Sequence, residues 1–107
     1  MTAAPIRERL PNRRPSMTFS FECNGLPYTA TASWFYDRRL AELFLSNHKS
    51  NSTADVNARD AAIALSLALQ SGVQVETVRK ALCRDSHGRV NGPLGAALDC
   101  IVEGKFR

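Results

Sequence analysis

The stretch AAIALSLALQSGVQVETVRKAL, residues 61–82, admits two architectures, and the choice between them decides the fold. Ala68, Gly72, Val73, Thr77 and Val78 fall where a helix-turn-helix keeps its small residue, its turn glycine and its packing valines. The residues before Gln70 are nevertheless almost wholly apolar, as in a helix sunk into a domain centre. What lies upstream favours the second reading.

Met17, Phe19, Phe21 and Cys23 alternate with Thr18, Ser20 and Glu22, the two-residue period of a strand with one wet face. Asn24-Gly25 supplies a two-residue hairpin turn, because both residues tolerate positive φ. YTATASWFY continues as a second strand, with Pro27 at its start, and Asp37-Arg38-Arg39 breaks it. LAELFLSN is the third strand. Short polar turns between three strands make an antiparallel meander over residues 17–47.

Ser52, with Asp55 three residues on, has the form of a capping box, so a long helix starts near Thr53. Ala54, Ala58, Ala61, Leu65, Ala68 and Leu69 share one face, and Ile63 and Leu67 widen it until the helix reads as apolar nearly all round and buried on more than one side. Gly72 ends it at the position that takes positive φ. A shorter helix over residues 74–83 buries Val75, Val78 and Leu82 and leaves Glu76, Thr77, Arg79 and Lys80 outside. After the loop CRDSHGRVNG, Pro93 opens a third helix whose apolar face is Leu94, Ala97, Leu98 and Ile101. Strands first and helices afterwards give an α+β fold: a three-stranded antiparallel meander followed by three helices packed on one face. The expected boundaries are an extended basic arm over residues 1–16 and one α+β domain over residues 17–107.

The chain has 107 residues, 44% of them hydrophobic and 22% charged, which suits one core. The net charge of +4 is uneven, because Arg7, Arg9, Arg13 and Arg14 crowd the arm against the single acid Glu8. Such an arm either touches nucleic acid or an acidic protein, or only solvates the terminus. The three cysteines, Cys23, Cys83 and Cys100, form no C-x-x-C pair. With no apolar run of membrane-spanning length, a cytoplasmic, reducing setting is expected and no membrane association.

Catalytic constellations are thin. Cys83 and His87 have a C-x-x-x-H spacing, but a structural zinc site wants four ligands and only Cys23, Cys100 and His48 remain to complete it. The reading favoured for Cys83 is a buried last-turn core residue. No glycine-rich phosphate loop, G-x-S-x-G or H-E-x-x-H motif occurs. No catalytic residue, no metal ligand and no cofactor are therefore assigned. Contacts with a partner or with nucleic acid are assigned to Arg7, Arg9, Arg13, Arg14, Arg79, Lys80, Arg84, His87 and Arg89.

The segments SFECNGLPYTATASWFYDRRLAELFLSN, NARDAAIALSLALQSGVQVETVRKALCRDSHGR and NGPLGAALDCI together resemble the TSCPD domain. That domain occurs near the C-terminus of vitamin B12-dependent ribonucleotide reductases and in short separate proteins of proteobacteria. The likeness runs from about Met17 to Ile101 and is most specific in LAELFLSN, SLALQSGV and RDSHGRVNGPLGAALD. No Thr-Ser-Cys-Pro-Asp run occurs, and the cysteines do not form a pair of the kind that re-reduces a reductase. The resemblance implies an accessory or regulatory relative of ribonucleoside-diphosphate reductase, not catalytic alone. It also implies a protein partner, with a homodimer and arm-mediated nucleic-acid contact as further expectations. The alternative is a DNA-binding transcriptional regulator that uses a helix-turn-helix-like segment, residues 64–82, together with the basic arm.

Overall fold

A computed structural model describes residues 6–104; residues 1–5 of the expected arm and 105–107 of the expected domain lie outside the described residues. Three strands, β1 (Ser16–Cys23), β2 (Leu26–Trp34) and β3 (Leu40–Asn47), precede three helices, α1 (Thr53–Gln70), α2 (Val75–Ala81) and α3 (Pro93–Glu103). The sheet is an antiparallel meander in the order β1-β2-β3. The α+β arrangement read from the sequence is the one observed.

Asn24 and Gly25 both take positive φ, +53° and +77°, so the β1–β2 hairpin closes in two residues with Cys23 opposite Leu26. The second hairpin departs from the expected one. Ser33 and Trp34 carry a register irregularity, and β2 ends at Trp34, two residues before Tyr36. Phe35 N–H donates to Arg39 O at 2.9 Å and Arg38 N–H to Phe35 O at 3.0 Å, which turns Phe35 and Tyr36 into loop residues. The Arg39 guanidinium lies 4.6 Å from the centre of the Phe35 ring.

One face of the sheet carries Phe19, Cys23, Tyr28, Ala30, Ala32, Leu43 and Leu45, all buried. Against it pack Ala58, Ala62, Leu65 and Leu69 of α1 and Ala97 and Leu98 of α3, which complete the core. The register places Thr18 opposite Thr31 and Thr31 opposite Phe44, so the other face is hydroxyl-rich with Phe44 half exposed.

Helix α1 is not buried all round. Val56, Ile63 and Leu67 are 43%, 50% and 45% exposed, and the buried side is shifted to Asp55, Ala58, Ala62, Leu65, Ser66, Leu69 and Gln70. The shift follows from the edge of β3. Leu43 N–H donates to Ser66 Oγ, Gln70 Nε2 donates to Ala41 O at 3.1 Å, and Asn47 N–H donates to Asp55 Oδ1 at 2.9 Å. Three polar side chains of α1 thus satisfy backbone groups that a fourth strand would otherwise take.

At its start, Ser52 caps α1 by accepting from Asp55 N–H, but the Asp55 carboxylate departs from the reciprocal capping-box pattern. Instead it accepts from the N–H groups of Asn47 and Asn51, tying the β3–α1 loop, and those bonds hold its pKa below the ordinary carboxylate range. At its end, Gly72 takes φ +97° while Val73 N–H bonds Ala68 O and Gly72 N–H bonds Leu69 O, a Schellman stop.

Candidate partner-binding site

The loop between α2 and α3 folds as a short hairpin. Arg84 and Val90 form an antiparallel bridge, Asp85 N–H donates to Arg89 O at 2.8 Å, and Asn91 N–H donates to Cys83 O at 3.0 Å. The Asp85 carboxylate accepts from the N–H groups of His87 at 2.8 Å and Arg89 at 3.0 Å, an Asx-type closure that Gly88 completes at φ +78°. Asp85 is therefore occupied by backbone, and the side chains left exposed at the tip are Ser86, His87 and Arg89.

Two contacts fix this hairpin to the body. A Cβ at Gly95 would stand 2.9 Å from Val90 Cγ1, so the absence of a side chain at that turn of α3 is what admits Val90. Asn24 of the first hairpin donates to Asn91 O at 2.9 Å. Arg84 adds a third tie, donating to Gly88 O at 3.0 Å and pairing with Asp99 at 3.2 Å.

Asp99 is the hub beneath the hairpin. Arg79 Nε donates to it at 2.7 Å, while the same guanidinium lies 3.3 Å from Glu76 and 3.6 Å from Glu103. Burial pushes the Asp99 carboxyl up, yet the hydrogen bonds and charges of Arg79 and Arg84 outweigh it and hold the pKa below the ordinary value. Arg79 was expected to face outward. Its side chain is only 19% exposed and is engaged by α3, because α2 is a seven-residue helix with no buried residue of its own and needs that tie. Val75, Val78 and Leu82, expected to be buried, are half-buried and pack against the rim of the core. Helix α2 also stops at Ala81, with Leu82 as its C-cap, which puts Cys83 in the loop. Cys83 is exposed, not a core residue.

The remaining expected contact residues separate into two groups. Lys80, His87 and Arg89 are exposed on α2 and the hairpin, within five residues of Arg84 in sequence. Arg7, Arg9, Arg13 and Arg14 belong to a segment laid along the far end of the sheet. There Glu8 N–H donates to Gln70 O at 2.7 Å, Arg7 Nε donates to Gln70 Oε1, and Glu8 pairs with Arg39 at 3.0 Å. Arg14 pairs with Glu42 at 3.3 Å, and Tyr36 donates to Arg13 O. The hairpin adjoins the Asn24 end of β2 and the arm adjoins the Tyr36 end, so about 26 Å of strand separates the groups. Arg9, Arg13, Lys80, His87 and Arg89 carry no ion pair among the described residues.

Asp99, Glu42 and Gln70 organise these groups without a site role read from the sequence, and Asn24, read there only as a turn residue, also ties the hairpin to the sheet. Asp99 alone had a legible signal, an acid beside an apolar helix face that two nearby arginines can share. Among the described residues, no three His, Cys, Asp or Glu side chains gather into a metal site. The Cys23 thiol is buried, which pushes its pKa up and leaves it a poor nucleophile. No described helix is long and apolar enough to cross a membrane.

Comparison with known proteins identifies the relatives. Two thirds of the chain is similar to vitamin B12-dependent ribonucleotide reductases. Over 73 residues, 68% of this chain, it is 41% identical to the reductase of Streptantibioticus cattleyicolor, and the match covers 12% of that protein. The Agrobacterium fabrum reductase is 37% identical over 70 residues, 65% of this chain and 6% of its own length. That of Rhodopirellula baltica is 35% identical over 74 residues, 69% of this chain and 7% of its own. The chain thus spans a small fraction of the curated relatives it matches. No family model matches, and no solved structure matches significantly.

Proposed function

We propose that this chain is a TSCPD-type domain that acts as a non-catalytic accessory or regulatory module by binding a macromolecular partner, with a B12-dependent ribonucleotide reductase as the leading candidate. The observation that carries the reading is the shape of the similarity. It fills about two thirds of this chain and between 6% and 12% of each reductase, as expected if the shared unit is one domain of a large enzyme. The organisation of the charged residues supports binding. Arg79, Arg84, Asp85 and Asp99 are engaged in building the hairpin, and Lys80, His87 and Arg89 are left to face a partner.

A second reading, contact with DNA, is favoured by the exposed Arg9 of the docked arm, but Arg79 of the helix-turn-helix-like segment is engaged by three carboxylates. Arm-mediated contact would be weak, indifferent to sequence and steeply reduced by salt. A pull-down from the native cell with tagged protein separates the readings. Reductase subunits in the eluate support the proposal, and DNA recovered without them supports the second reading.

A further inference from the structure

The two edges of the sheet are treated differently. Antiparallel ladders alternate, so each residue of an edge strand bonds either inward to its neighbour or outward. Trp34 N–H donates to Pro15 O at 3.0 Å, and with the observed register this makes Met17, Phe19, Phe21 and Cys23 the β1 residues bonded to β2. By the same alternation Ala41, Leu43, Leu45 and Asn47 point outward from β3, in agreement with the side chains of α1 that meet Ala41, Leu43 and Asn47 there. On β1 the outward groups belong to Ser16, Thr18, Ser20 and Glu22. Among the described residues no hydrogen bond reaches their outward backbone groups.

Apart from Glu22 near its end, β1 also lacks the usual edge protections. SMTFSFEC contains no proline, no lysine and no charge on the inward face. Met17 is 39% exposed and Phe21 half-buried, so the apolar side of the strand is left incomplete at this edge. We infer that β1 pairs with β1 of a second copy of this chain, antiparallel about a two-fold axis at Phe19, to join two three-stranded sheets into one of six.

The strand is self-complementary in that register. Met17 faces Phe21 of the second copy on the apolar side, and Thr18 faces Ser20 on the hydroxyl side. The four outward residues of each copy supply about eight main-chain hydrogen bonds. Charge selects the antiparallel sense. Glu22 is exposed with no ion pair among the described residues, and the opposite end of β1 follows Arg13 and Arg14. Antiparallel pairing brings Glu22 of each copy toward the basic end of the other, whereas parallel pairing stacks like charges. The pairing is isologous and closes at two copies.

Sedimentation equilibrium of the full chain tests this, with Ser20→Pro as the variant. Proline there removes only an outward N–H, since residue 20 does not bond β2. The expected result is a concentration-dependent shift from 11.8 kDa to twice that mass, with dimer affinity reduced at least about tenfold in Ser20→Pro. Should Ser20→Pro fail to fold by circular dichroism, amide exchange in the wild type decides, because the N–H groups of Thr18, Ser20 and Glu22 must slow as concentration rises. A mass of 11.8 kDa at every concentration, an equally tight dimer of folded Ser20→Pro, or edge amides that exchange at the same rate in monomer and dimer overturns the inference.

Discussion

Ser66 and Leu43 meet in both directions across the helix–sheet contact. Ser66 Oγ accepts from Leu43 N–H at 2.9 Å and lies 3.0 Å from Leu43 O, its single proton shared between that carbonyl and Ala62 O at 2.8 Å. One buried hydroxyl in an apolar helix therefore satisfies both backbone groups of Leu43 on this edge.

Ser66→Ala leaves the buried Leu43 N–H without a partner, so it is expected to lower unfolding stability by about 1–3 kcal/mol, the cost of an unsatisfied buried polar group. Urea denaturation checks this. An unchanged midpoint would mean that water or backbone movement replaces the bond.

Leu65 and Ile63 lie two residues apart on α1 with opposite fates, 3% and 50% exposed. Leu65→Ala should cost about 2–5 kcal/mol through lost transfer energy and a cavity. Ile63→Ala should stay within about 0.5 kcal/mol of wild type. Comparable losses at the two positions would mean that the helix is buried on both sides.

Gly95→Ala places a methyl group against Val90. The overpacking, about 1–3 kcal/mol, exceeds the roughly 0.5–1 kcal/mol that alanine gains over glycine in a helix. A net loss is expected, and Val90→Ala should relieve it in the double variant, giving a coupling measurable by thermal denaturation. Strictly additive effects would contradict the docking of the hairpin on α3.

Asp99 is held below the ordinary carboxylate range when folded, so its contribution to stability is present above the unfolded value, near 4, and is lost as pH falls through the folded one. Asp55 acts in the same sense through the N–H groups of Asn51 and Asn47. Stability measured from pH 6 downward should fall below about pH 4, and less steeply in Asp99→Asn than in wild type. Identical slopes would remove Asp99 from the acid response.

The strands were legible because one-sided burial imposes a period of two and Asn24-Gly25 has few other uses. LAELFLSN coincides with β3, while β2 stops early because Arg39 O captures Phe35 N–H, a local loop closure that the apolar pattern of WFYDRR does not signal. The orientation of α1 differs from its apolar pattern for a physical reason. Apolar periodicity cannot show that Asp55, Ser66 and Gln70 will be drawn inward by an edge strand, which turns Ile63 and Leu67 out. Of the candidate site, the hairpin tip was legible as a polar loop carrying His87 and Arg89. Asp99 was legible as an acid beside an apolar helix face, but which arginines engage it was not, since that depends on how α2 and α3 meet.

The most direct measurement of the proposed role is calorimetric titration of the purified chain with the B12-dependent ribonucleotide reductase of its own cell. Saturable, stoichiometric binding is expected, weakened at least about tenfold by Lys80→Ala, His87→Ala and Arg89→Ala combined, with the thermal midpoint unchanged. No heat of binding to the reductase, together with salt-resistant and sequence-selective binding of duplex DNA by residues 16–107, would contradict it.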